Sequence, residues 1–287
     1  MTDINFAELK KGGFMKQKQK DYFSMRLKTI GGQVTAEQLE TIQLVSQKYG
    51  KGYIHLTSRQ GIEIPFIGTE NIDAVKRELA AGGVQNGVCG ARLRTITACQ
   101  GSVICPSGLI DTQQLAEDCD HRYGGREFPC KFKIGITGCP NNCLKAEEND
   151  LGIKGGIIPQ WNAEKCIFCG VCVPVCPTKA ITVDKDTHTL AFIEEKCCYC
   201  GACFKSCPAS AWGGQSGYVV SLGGLYGKQI AIGKHILPII SNAETLHKVI
   251  TVTLDFFASH AKQGERFAKT LDRVGWNTLK AAIEEIL

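Results

Sequence analysis

The residues of this chain best suited to chemistry are its cysteines. Residues 166–177 read C-I-F-C-G-V-C-V-P-V-C-P, and residues 197–208 read C-C-Y-C-G-A-C-F-K-S-C-P. Both fit C-x2-C-x2-C-x3-C-P, and the second copy starts 31 positions after the first. That spacing turns three thiolates toward one iron–sulfur cubane and sends the fourth to a second cubane, as in bacterial two-cluster ferredoxins. Three ligands of one small cluster must come from one tight loop, so small residues such as Gly170 and Gly201 sit between them. Pro177 and Pro208 then turn the chain away. One cluster would take Cys166, Cys169, Cys172 and Cys207, the other Cys197, Cys200, Cys203 and Cys176. Zinc and disulfides are the competing readings, and two complete copies with closing prolines weigh against both.

A second constellation is A-C-Q-G-S-V-I-C at 98–105 with G-C-P-N-N-C at 138–143. On their own, Cys99, Cys105, Cys139 and Cys143 could also be a structural zinc site or buried thiols. Cys89, Cys119, Cys130 and Cys198 fit no ligand pattern and read as small buried hydrophobes.

Cations recur at strand spacing, where residues i and i+2 share a face. FSMRLKT (23–29) puts Arg26 and Lys28 on one face, with Met25 and Leu27 on the other. GARLRTI aligns Arg92 with Arg94, and CKFKIGIT sets Lys131 and Lys133 opposite Phe132, Ile134 and Ile136. Arg59 falls in the turn between YIHLT and GIEIPF. A solvated sheet face is one reading. Nucleic acid is a second, but no aromatic stacking signature accompanies these cations. The third is a pocket for a cofactor with many carboxylates and a small oxyanion substrate. Arg captures such groups with two parallel hydrogen bonds, and Lys adds point charge and protons. The third reading is favoured.

The elements that must position these groups are short. Residues 1–22 form a polar, basic arm. Residues 23–85 read β-α-β-β-α, a small α+β module. Its first helix opens with a Thr35–Gln38 capping box, carries Leu39, Ile42 and Val45 as its apolar stripe, and ends at Gly50; a second helix covers 71–81. A further module spans 86–160 and resumes over 213–287 with the strand GYVVSLGG. A helix follows at 242–261, with Ser241 as N-cap and Glu244 at N3, and a last helix covers 265–286. The cysteine-rich stretch 161–212 therefore reads as an insertion within that module.

Composition narrows the class. The chain has 287 residues, 44% hydrophobic and 21% charged, with a net charge of +5 and 16 cysteines. It lacks an apolar run of about 18 residues, so no membrane span is expected. MTDINFAELKKGGFMKQKQK lacks the apolar segment of a secretory signal, which points to a cytoplasmic protein whose thiols serve metal, not disulfides. The six histidines form no nucleophile–base pattern. GYVVSLGGLYGKQ lacks the βαβ setting of a dinucleotide site, so electrons would come from an outside donor.

MRLKTIGGQVTAEQL, GYIHLTSRQGIEIP, RTITACQGSVIC, CKFKIGITGCPNNC and GYVVSLGG together resemble the siroheme-dependent sulfite and nitrite reductases. The likeness is greatest to single-repeat forms such as the anaerobic sulfite reductase C subunit and the dissimilatory-sulfite-reductase-like proteins, and it covers most of 23–287. It implies an α+β fold: a ferredoxin-like half domain plus a siroheme-[4Fe-4S] reductase domain, interrupted by an inserted bacterial-type dicluster ferredoxin domain. It implies that Cys99, Cys105, Cys139 and Cys143 hold a [4Fe-4S] cluster, with Cys143 also the axial ligand to siroheme iron. Arg26, Arg94, Lys131 and Lys133 would line the substrate side, and Arg59 would meet siroheme carboxylates. Arg92 joins the cofactor-binding set from strand phase alone. The cofactors would be one siroheme and three [4Fe-4S] clusters per chain. The implied function is six-electron reduction of sulfite to sulfide. Nitrite reduction, or a non-catalytic polyferredoxin-like electron carrier, is the alternative. The donor would be a ferredoxin or a reductase subunit. Large members of the family carry two copies of the module and this chain one, so a homodimer or pairing with a related subunit is expected.

Overall fold

The structure is a computed structural model that describes residues 5–287. Its first layer is a four-stranded antiparallel sheet in the order β1-β2-β4-β3, formed by Phe14–Lys16, Tyr22–Arg26, Ile62–Gly68 and His55–Leu56 respectively. Two helices, Ala36–Tyr49 (α2) and Ile72–Ala81 (α3), complete it. The alternation of strand residues works as expected: Phe23, Met25, Ile62 and Ile64 join Ile42, Val45, Val75 and Leu79 in one buried cluster. The Thr35–Gln38 capping box forms in both directions, and Gly50 ends α2. Leu39, expected on the apolar stripe, is instead 45% exposed.

The arm also differs from expectation. Its first four residues lie outside the described part, but Phe6–Lys11 forms a helix (α1) and β1 pairs with β2. Phe14 is buried in the core of the sheet. The surrounding lysines hid a three-residue strand whose single inward aromatic is enough to anchor it.

The second layer is a mixed sheet in the order β10-β7-β6-β5, formed by Trp212–Leu222, Leu151–Trp161, Ile134–Thr137 and Thr97–Ala98. Strands β5, β6 and β7 run parallel, and β10 returns antiparallel to β7. Gly101–Ile104 (α4) and Thr112–Tyr123 (α5) lie between β5 and β6 in sequence, and Ala243–His260 (α7), Phe267–Val274 (α8) and Trp276–Glu284 (α9) follow β10. The apolar sides of α5, α7, α8 and α9 share one core with Ile134, Ile136, Leu151, Ile153, Val220 and Leu222, while Val103 and Ile104 of α4 are exposed. Asn242, one residue after the expected Ser241, caps α7. The expected final helix is broken into α8 and α9 at Gly275, whose φ of 115° no helix accommodates.

Strands β7 and β10 pair without a break from Leu151↔Leu222 to Trp161↔Trp212. The chain therefore leaves and re-enters the sheet at adjacent points, and residues 162–211 form a lobe at the ribbon's tip. The lobe holds the hairpin Ile181–Asp184 (β8) with Thr189–Phe192 (β9) and the short helix Ala202–Ser206 (α6). Its backbone repeats at the 31-residue period: Phe168 and Tyr199, Gly170 and Gly201, and Lys179 and Ser210 all have positive φ. No helix among the described residues is long and apolar enough to cross a membrane.

Candidate functional site

Five of the sequence-selected cations meet around one cavity of about 270 Å³: Arg26, Arg59, Arg94, Lys131 and Lys133. They arrive from four parts of the fold. Arg26 ends β2, Arg59 lies in the β3–β4 turn, and Arg94 precedes β5. Lys131 and Lys133 flank Phe132 on the approach to β6. Phe132 is fully buried against Phe257 and Phe267, with ring centroids 5.3 and 5.1 Å away, and this turns both lysines to the other side.

Arg26 is the one cavity cation with an ion pair among the described residues. Its Nε donates to Glu63, its cross-strand neighbour, at 2.8 Å. Arg59 instead donates to Asn149 Oδ1 at 2.6 Å and to the Thr95 carbonyl at 3.3 Å. Arg94 keeps a buried Nε with no acceptor. Burial pulls Arg59 down to about 10, still high enough to stay charged at neutral pH. Burial, then the charges of Arg59 and Arg266, pulls Lys133 down to about 8. Lys131 is lowered by burial and by Arg266 and Arg94. Half-buried, mutually repelling cations, four of them without a carboxylate partner among the described residues, call for a bound anion.

Two candidates do not reach this cavity. Arg92 pairs with Glu127, and Lys28 pairs with Asp120 at 2.5 Å. The i, i+2 rule placed them with Arg94 and Arg26, but the chain there is not continuous strand. Arg92 and Leu27 make only isolated bridges, to Glu127 and Asn86, so the alternation does not carry through.

A second cavity, of about 370 Å³, is lined by Cys143, Asn149 and Tyr226. It shares Ser58, Arg59 and Lys133 with the first, so these residues stand in a common wall. Cys143 is exposed and Cys139 buried. The two cysteine loops meet at Gly138, whose N–H donates to Cys99 Sγ at 3.0 Å. A side chain at Gly138 would lie 3.0 Å from the Gly101 Cα, so glycine permits this approach.

In the inserted lobe, two tight apolar cavities form. Cys166, Cys169, Cys172 and Cys207 line one, and Cys176, Cys197, Cys200 and Cys203 line the other. Each thus combines thiols of one run with the last thiol of the other; Cys198, expected as a small buried hydrophobe, is exposed and also lines the second cavity. Equivalent main-chain N–H groups reach the fourth thiols, Ala180 to Cys176 and Ala211 to Cys207, both at 3.2 Å. Trp212 lines the first cavity, and its buried indole N–H has no acceptor. Among the described residues no three His, Cys, Asp or Glu side chains converge closely enough for a single metal ion. A cubane is wider than an ion and needs its thiolates further apart.

Sequence reasoning missed the groups behind the cations. Asp150 is fully buried and accepts Nη2 of Arg266 on both oxygens at 2.9 Å. Cys119 is a core residue, as expected, its thiol pushed up to about 12 by burial. Cys89 is buried too, yet its sulfur lies 3.5 Å from Arg26 Nη1.

Residues 89–287 match the family model described as the nitrite and sulphite reductase 4Fe-4S domain, and residues 15–82 match the nitrite/sulfite reductase ferredoxin-like half domain. The chain is 33% identical over 278 residues to the coenzyme F420-dependent sulfite reductase of Methanocaldococcus jannaschii, covering 96% of this chain and 44% of that protein. It is 33% identical over 165 residues to the anaerobic sulfite reductase C subunit of Salmonella typhimurium, covering 53% of this chain and 48% of that one. The chain therefore spans less than half the length of these two relatives. A solved structure of dissimilatory sulfite reductase I superposes with a TM-score of 0.74 at 23% identity, covering 92% of this chain and 69% of that one, a likeness of fold.

Proposed function

The chain belongs to the nitrite and sulphite reductase family, and on that premise we propose that it reduces sulfite to sulfide, a six-electron reaction, at a siroheme held between the two cavities. The observation that carries this reading is the common wall. Arg59 and Lys133 border both the chamber where the cations collect and the chamber into which Cys143 opens.

The residues present suit the group. Arg94 has a buried donor without an acceptor, and four of the five cations lack a carboxylate among the described residues, so a polycarboxylate and an oxyanion would complete them. Arg59, fixed by Asn149, would take siroheme carboxylates. Cys99, Cys105, Cys139 and Cys143 would hold a [4Fe-4S] cluster, and Cys143, which lines the larger cavity, would also help hold the siroheme. Siroheme and cluster, when bound, supply a redox centre that can pass electrons to the substrate sulfur. Arg26, Arg94, Lys131 and Lys133 would bind the oxyanion and neutralise charge as its oxygens depart. Lys133, lowered to about 8, holds at Nζ a proton that it can give up near neutral pH, as each oxygen leaves as water.

Residues 162–211 are read as the dicluster ferredoxin unit that brings electrons in. The mixed thiol quartets and the doubled backbone support this. A ferredoxin or a reductase subunit would be the outside donor. The exposed edge strand His55–Leu56 suits pairing with a second copy or a related subunit. Sulfite is favoured over nitrite because the relative matched along 96% of this chain is named a sulfite reductase. The test is anaerobic turnover with reduced viologen dye, with sulfite and nitrite side by side. Sulfide formation at the higher kcat/KM supports the reading; reduction of neither anion contradicts it.

A further inference from the structure

Cys143 lies in a loop bracketed by two non-glycine residues in the left-handed region, Asn142 (φ 52°) and Lys145 (φ 56°). Both ends of the Asn142 side chain are used. Its Oδ1 accepts the Ala146 N–H at 2.9 Å, and its Nδ2 donates to Glu147 Oε2 at 2.6 Å. Residue 142 is thereby clamped to 146 and 147, and residues 143–145 bow out between the clamped ends. This is the segment whose thiol opens into the larger cavity.

Glu147 itself does not line either large cavity. Its other oxygen, Oε1, takes Lys154 Nζ from β7 and His235 Nε2 at 2.8 Å from the segment after β10. His235 Nδ1 faces the Val220 carbonyl at 3.1 Å. The Glu147 carbonyl accepts the Gly233 N–H at 2.8 Å, so main chain and side chain are both held. Lys154, His235 and Asn142, from three separate segments, converge on one carboxylate, whose Oε2 meets Asn142 alone.

We infer that Glu147 is a positioning residue: braced by Lys154 and His235, it locks Asn142 and so aims the Cys143 thiol into the cavity. The inference rests on the siroheme reading only in what Cys143 meets there. Outer-shell partners of this kind change ligand orientation without touching the ligand's acceptor.

Two variants test it. Glu147→Gln keeps the size but cannot satisfy Asn142, Lys154 and His235 together. Asn142→Gly removes the clamp while tolerating the left-handed backbone. In the full-length chain purified without siroheme, each variant should change the iodoacetamide labelling rate of Cys143 several-fold, with Cys130 labelling unchanged. In the holoprotein, each should shift the haem EPR lines and lower siroheme retention about tenfold. Parental labelling and parental EPR lines in both variants would overturn the assignment. Equal acceleration at Cys130 and Cys143 would also overturn it, since the network would then be a general brace. If the parent chain takes up no siroheme, the functional reading fails, and the labelling result still decides this one.

Discussion

The main-chain N–H of Lys133 donates to a carboxylate oxygen of Asp150 at 2.9 Å, and that carboxylate also accepts Arg266 Nη2 on both oxygens. Asp150 therefore ties the strand that delivers Lys133 to the cation on α8's N-terminal side. Replacing Asp150 with Asn leaves Arg266 as a buried, unbalanced charge, and should destabilise the fold by about 3–5 kcal/mol. Chemical denaturation checks this, and an unchanged midpoint contradicts it.

On the proposed reading Lys133 gives protons and acts in its charged form, so sulfite turnover should fall as pH rises through about 8. Lys133→Met should keep the macrocycle spectrum, lower turnover about a hundredfold and remove that limb of the pH profile. An unaltered profile would refute the role. The stability linkage has the opposite sense. Burial depresses this lysine from 10.5, so its contribution to stability is fully present above 10.5 and is lost as pH falls through about 8 in the ligand-free chain.

Arg94 and Arg92 make an internal control, two positions apart with opposite surroundings. Arg94→Ala should raise the KM for sulfite about tenfold or more, the size of a lost charge-assisted hydrogen bond. Arg92→Ala removes a pair with a largely exposed glutamate and should leave KM within about twofold. Steady-state kinetics on both variants decide; equal effects would contradict the cavity assignment.

The lobe's thiols offer a connectivity test. Cys169→Ala and Cys207→Ala, 38 positions apart, line the same cavity and should lose the same cluster. Cys176→Ala, although it belongs to the first run, should lose the other. Iron content with low-temperature EPR of the reduced variants reads this directly. A Cys176→Ala spectrum matching that of Cys169→Ala would contradict the exchange of fourth ligands.

What the sequence made legible follows from how local the constraint is. The lysines at 131 and 133 were readable because Phe132 between them is locked into an aromatic core, which fixes the phase of the strand. The cysteine runs were readable because their spacing is local, and their 31-residue repeat recurs as a doubled pattern of positive φ in the fold. Arg92 and Lys28 were misplaced because strand phase was extended into segments that make single bridges only. Asp150, Arg266 and Asn149 stayed hidden because each acts through a partner distant in sequence, as Arg266 does across 116 positions to Asp150; Glu147 has near partners in Asn142 and Lys154, but its link to His235 spans 88 positions. The ribbon β7–β10 was half legible. The returning strand read clearly, but its unbroken register with Leu151–Trp161 is a tertiary fact.

On the proposed reading the two cavities are opposite sides of a single tetrapyrrole site. Anaerobically purified chain from a siroheme-producing host should show macrocycle absorbance at about one siroheme per chain, lost or strongly diminished in Cys143→Ala and weakened in Arg59→Ala. Iron–sulfur absorbance with no macrocycle in the parent chain, under conditions where a siroheme protein loads normally, would contradict the account and leave an electron carrier in its place.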